Sequence, residues 1–112
     1  MSTAERNWLT VPDLAERLDL SPSRIRRLIE DRHLLATRRD GVLVVPEVFL
    51  TEEGPMAELR GTAILLADNG FGDDEAVRWL LEEESSLGAA PIDALRAGRK
   101  AEVRRIAQAL AF

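Results

Sequence analysis

Apolar side chains in the stretch "LTVPDLAERLDL" recur at helical spacing, so that Val11, Leu14, Ala15 and Leu18 fall on one side of a helix. Thr10 stands where an N-cap belongs, Pro12 lies near the first turn, and Asp13 is well placed for the positive end of the helix dipole. Asp19-Leu20 makes a tight joint. In "SPSRIRRLIED", Ser21 is a second cap and Pro22 a first helical residue. Stepping 100° per residue puts Ile25, Leu28 and Ile29 on one side, Ser23, Arg27 and Glu30 opposite, and Arg24 and Arg26 on the flanks. Two short helices are therefore expected, the second over 22–31.

The period then changes. "LLATRRDGVLVVP" alternates around Asp40-Gly41, a dipeptide suited to a two-residue type I′ hairpin because both central positions need positive φ. Leu35 to Arg39 and Val42 to Val45 are the expected strands, with Arg38 and Arg39 at the tip. A ribbon directly after the second helix of a helix-turn-helix is a wing, here 35–45.

From Pro55 onward helical spacing returns. Met56, Leu59, Ala63, Leu66 and Ala67 form one apolar face, ended by Asn69-Gly70. Asp73 is expected to cap "DDEAVRWLLEEE", with Ala76, Val77, Leu80 and Leu81 inward, Trp79 as a large anchor, and Glu82 to Glu84 as its solvated end. "SSLGAA" breaks the pattern, Pro91 opens "PIDALRAG", and Val103, Ile106, Ala107 and Leu110 are in register in the last segment. The fold class is mainly α: a winged helix-turn-helix with a two-stranded β wing, followed by a bundle of about four short helices. The division expected is 1–50 for the winged module and 51–112 for the helical domain. A chain of 112 residues with 46% hydrophobic content can bury a core of that size.

Charge sharpens the picture. The net charge is −5, yet residues 1–50 hold eight basic and eight acidic residues against seven and twelve in 51–112. Between 20 and 39 six arginines face only Glu30 and Asp31. An acidic protein with one basic surface repels a polyanion everywhere except there. Arginines on the outer side of an amphipathic helix are usually no more than a solvated surface. These, however, occupy the first turns of the element that enters a major groove in helix-turn-helix proteins.

Residues 9–50, which include "LTVPDLAERLDLSPSRIRRLIEDRHLLATRRDGVLVVP", resemble the excisionase and MerR-like winged helix-turn-helix module. The shared pattern is a Thr-capped first helix with an acidic residue and Ala, a second helix carrying Ser-x-Ser-x-Ile-x-Arg-Leu-Ile, and a Gly-x-apolar-x-apolar-Pro exit from the wing. The resemblance implies that Ser23, Arg24 and Arg27 face the groove, with Arg26, Arg38 and Arg39 nearer phosphates. "AVRWLLEEESSLGAAPIDALRAGRKAEVRRIAQAL" resembles the C-terminal domain of small bacterial antitoxins and of actinobacterial DNA-binding proteins that join a winged helix to a helical tail. Both motifs in this order resemble a small actinobacterial winged-helix regulator.

The partner so implied is double-stranded DNA, read by a transcription regulator. A homodimer or a protein partner, held through the C-terminal helices, would add binding area. The rival function is an antitoxin-like or adaptor module whose helical domain binds a protein. Catalysis finds no constellation: the chain has no Cys and one His, His33, which reads as a capping or turn residue. The acidic run at 68–75 lacks the alternate-ligand order of an EF-hand, and "GFG" lacks dinucleotide-loop spacing. No enzyme activity, metal, cofactor or small-molecule substrate is expected. Two Trp and three Phe are too few for a stacking platform, which favours duplex DNA over RNA or single strands. "MSTAERNWLTVPDL" has no apolar leader and no run approaches the ~18 residues of a membrane span, so a cytoplasmic location is expected. Thr3 and Thr10 are conceivable phosphorylation sites beside the basic face.

Overall fold

The caps expected at Thr10 and Ser21 form in the computed structural model, which describes residues 6–110. α1 (Val11–Leu18) starts at Thr10, whose Oγ1 accepts from Asp13 N at 3.2 Å while Thr10 N–H donates to Asp13 Oδ2 at 3.0 Å, a reciprocal capping box. α2 (Pro22–Glu30) starts at Ser21, whose Oγ accepts from Arg24 N at 3.2 Å. Between them Asp19 takes the left-handed conformation, φ 57°, which turns the chain from one helix to the next. Leu14 and Ile25 are fully buried, while Leu18, Leu28 and Ile29 are partly buried at the margin of the same apolar surface.

The wing is a hairpin of β2 (Thr37–Arg39) and β3 (Val42–Pro46), with Asp40 at φ 54° and Gly41 at φ 81° in its turn. Only glycine adopts the second of these freely. β2 begins later than the alternation suggests, because Leu34, Leu35 and Ala36 are drawn into the core. A third strand, β1 (Trp8–Thr10), pairs antiparallel with the other side of β3, giving the order β1-β3-β2. The register sets Trp8 opposite Pro46 and Thr10 opposite Val44. The wing thus leans on a strand that precedes α1, not on its own hairpin alone.

A short 3-10 turn (Glu47–Phe49) and a small hairpin, β4 (Leu50–Thr51) with β5 (Gly54–Pro55), lead into four helices: α3 (Ala57–Asp68), α4 (Asp73–Leu81), α5 (Pro91–Arg96) and α6 (Lys100–Ala109). Two expectations for α4 are corrected. Its N-cap is Gly72, not Asp73, because the Glu75 carboxylate reaches back to accept Gly72 N–H at 2.8 Å. It also ends at Leu81: Glu82 is extended, and Glu84 N–H bonds Ala89 O at 3.0 Å, so Glu82 to Glu84 form a loop and not a helix end. Trp79 is only partly buried.

Buried residues from both halves form one cluster, running from Val11, Leu14 and Ile25 through Phe49, Leu50 and Met56 to Leu80, Leu95, Val103 and Ala107. Polar ties cross the same boundary. Arg96 Nη1 donates to the carbonyls of Val48 and Leu50 at 3.0 and 2.9 Å, and Arg6 pairs with Asp93 at 3.0 Å. No helix among the described residues is long and apolar enough to cross a membrane.

Candidate nucleic-acid interface

The inward direction of Ile25 fixes the outward direction of its neighbours. With Ile25 at 0% exposure, Ser23 and Arg27 stand exposed on the opposite side of α2, and Arg24 and Arg26 on its exposed flanks. Among the described residues no hydrogen bond or ion pair engages the guanidinium groups of Arg24, Arg26 or Arg27. The Ser23 hydroxyl shares a hydrogen bond with that of Ser21 at 3.2 Å, at the start of the helix. These four side chains border one open groove with Leu28 and Glu30. Among the described residues, none from the helical half lines it.

The wing divides its two arginines between its faces. Strand pairing puts Arg39, Val42, Val44 and Thr37 on one face and Arg38 and Leu43 on the other. Arg38 meets Arg26 of α2 across a shallow cleft of about 260 Å³, bordered also by Thr10, Pro12, Val42 and Leu43. Its Nη1 donates to Gly41 O at 3.2 Å, which holds the side chain along the turn. Arg39 lies instead over the Trp8 ring on the other face. Val42, 48% exposed beside the turn, is the large apolar side chain that the wing shows to solvent.

Arg32 counts among the basic residues of the sequence, but no motif there gives it a role. It sits just past α2 with φ 65°, its N–H on Ile29 O at 3.1 Å and His33 N–H on Leu28 O at 2.9 Å, which together close the helix as a Schellman motif. His33 is therefore part of the cap, through its backbone. Thr10, one of the two conceivable modification sites, uses its hydroxyl as the α1 cap, and Thr3 lies outside the described residues. No group of three or more metal-ligating side chains occurs among the described residues.

Two packed helices, a basic second helix and a three-stranded wing, followed by four helices on the same core, define a winged helix-turn-helix protein with a helical C-terminal extension. Family models bear this out in the same order: residues 3–50 match the one described as DNA-binding protein Rv2175c, wHTH domain, and residues 56–111 the one described as Rv2175c C-terminal domain of unknown function. The DNA-binding protein Rv2175c of Mycobacterium tuberculosis is 36% identical over 115 residues, covering 91% of this chain and 79% of the relative. The NMR structure of Rv2175c superimposes with a TM-score of 0.87 at 34% identity, over 96% of this chain and 83% of that one. The chain belongs to the Rv2175c family.

Proposed function

We propose that this protein is a sequence-selective double-stranded DNA-binding regulator, with α2 in the major groove and the wing along the backbone. The observation that carries this reading is the exposed set Arg24, Arg26 and Arg27 on the second helix of a helix-turn-helix, with no ion pair to them among the described residues. A guanidinium can make two parallel hydrogen bonds to guanine O6 and N7, the commonest specific contact in a major groove. Ser23, Arg24 and Arg27 are the base-reading side chains, and Arg26, Arg38 and Arg39 the phosphate contacts. The excisionase- and MerR-like pattern of residues 9–50 supports this placement, as does the description of the family as DNA-binding.

Residues 1–50 then form the reading module and 51–112 the helical domain. One module of this size covers a single half-site, and a second copy or a protein partner held through the C-terminal helices would supply another. The antitoxin-like pattern of those helices supports that use.

The test is selection of bound duplexes from a random pool, followed by mobility shifts with Arg24→Ala and Arg27→Ala. Each variant is expected to weaken specific binding by about 1–3 kcal/mol. Equal binding by both variants and the parent would remove α2 as the recognition helix.

A further inference from the structure

α4 begins with two aspartates, and each grips a different reading element. Asp73 accepts from Arg32 Nη1 at 3.1 Å, and Arg32 is the residue that closes α2. Asp74 accepts from Thr37 Oγ1 at 2.6 Å, and Thr37 opens the first strand of the wing. Successive residues at a helix start diverge by about 100°, so neighbouring carboxylates can reach in two directions. A third tie comes from α3, where Arg60 Nε donates to the carbonyl of Asp31, the C-cap of α2, at 2.8 Å. All three join residues at least 29 positions apart, and all three run from the helical half to the reading head.

Arg32 supplies an independent indication. A Schellman motif favours glycine at the left-handed position, and any other residue there carries steric strain. At φ 65° Arg32 bears that strain and makes the contact to Asp73 that glycine could not make. The residue at this position is suited to anchoring the helix end, not to relaxing it.

We propose that the helical half braces the reading head, with Asp73 and Asp74 as positioning residues that fix the recognition helix relative to the wing. This gives the domain of unknown function a part in DNA reading, and it rests on the duplex-binding function proposed for the winged half. Charge and geometry make opposite predictions here. Removing an acidic group near a basic face should strengthen attraction to a polyanion, whereas loosening a brace should weaken binding to a specific site.

The experiment uses the full chain and its selected duplex. Asp73→Asn and Thr37→Val are each expected to lower affinity about 2- to 5-fold, the range set by exposed ion pairs and hydrogen bonds. Thr37→Ser, which keeps the hydroxyl, is expected to bind like the parent. Arg32→Gly is expected to melt at or above the parent temperature and yet bind more weakly, a combination that a purely structural role would not produce. Because the sequence has no Cys, nitroxide labels on Glu30→Cys and Val42→Cys report the helix-to-wing distance without background. That distance distribution should broaden with Asp73→Asn and Thr37→Val. An unchanged distribution, or tighter binding by Asp73→Asn, overturns the brace. A parent chain that binds no duplex overturns the DNA reading, and with it any part for the brace in that reading; the distance measurement tells the two failures apart.

Discussion

The guanidinium of Arg39 lies 4.5 Å from the centroid of the Trp8 ring. The two residues belong to the outer strands of the sheet and share a face because Arg39 pairs with Val42, and Trp8 with Pro46, on the strand between them. A cation over an indole at an exposed site is worth roughly 0.5–1 kcal/mol, little to give up for the phosphate contact proposed for Arg39. Arg39 can therefore exchange one for the other at little cost. Arg38, its neighbour in sequence, faces Arg26 on the opposite side of the ribbon.

Fluorescence can follow that exchange. In a Trp79→Phe background Trp8 is the remaining indole. Titration with the selected duplex is expected to change its emission as Arg39 leaves the ring, and Arg39→Ala is expected to abolish most of the change. An emission unaffected by DNA would mean that Arg39 stays stacked on Trp8.

Arg26 and Arg24 should fail differently. If Arg26 meets a phosphate as proposed, Arg26→Ala is expected to weaken binding to all sequences alike and to reduce the slope of log K against log salt by about 1. If Arg24 reads a base as proposed, Arg24→Ala is expected to relax preference at one base pair while leaving the slope nearly unchanged. Salt titrations on matched and mismatched duplexes distinguish the two.

The Ser21 cap holds the helix that carries these arginines. Ser21→Ala leaves the Arg24 N–H without its side-chain acceptor and is expected to cost about 1 kcal/mol, or roughly 4 °C in melting temperature. Ser21→Asp or Ser21→Asn should retain the cap. Calorimetry on the three variants measures the difference.

Acid should loosen carboxylate ties around α1 and at the start of α6. Asp13 is held below its ordinary 3.8 by the backbone hydrogen bond from Thr10 and then by the Thr10 hydroxyl. Glu47 is held below 4.5 by hydrogen bonds from Asn7 and then Arg17, and Glu102 below 4.5 by those from Arg99. Each carboxylate binds its proton less readily in the folded chain, so its contribution is complete above the unfolded value and disappears as pH falls through the lower folded value. Thermal melts are expected to show a plateau above about pH 5 and a progressive fall below about pH 4.5. All three groups lie at the surface, so the decline should be shallow.

Features written in neighbouring residues were legible in the sequence. Thr10 with Asp13, Ser21 with Pro22, and Asp40 with Gly41 each set a local conformation through their own hydrogen bonds or φ preference. The outward set on α2 followed from the periodicity of Ile25, Leu28 and Ile29 alone. What escaped depends on distant partners. β1 has three residues, too few to show alternation, and becomes a strand only because β3 lies beside it. The early end of α4 reflects the pairing of Glu84 with Ala89, which competes with another helical turn. The links of Arg32 to Asp73, Thr37 to Asp74 and Arg39 to Trp8 require the whole fold, and no spacing in the chain announces them. Arg38 and Arg39 looked equivalent at the wing tip, although pleating alone already puts them on opposite faces.

Phe49, Leu50 and Met56 sit where the wing hands over to the helices, and they are buried by side chains from either side of that junction. The winged portion is consequently not a detachable cassette. Cutting the chain there would leave a greasy scar on both fragments, and grafting this head onto another protein would require carrying its helices along.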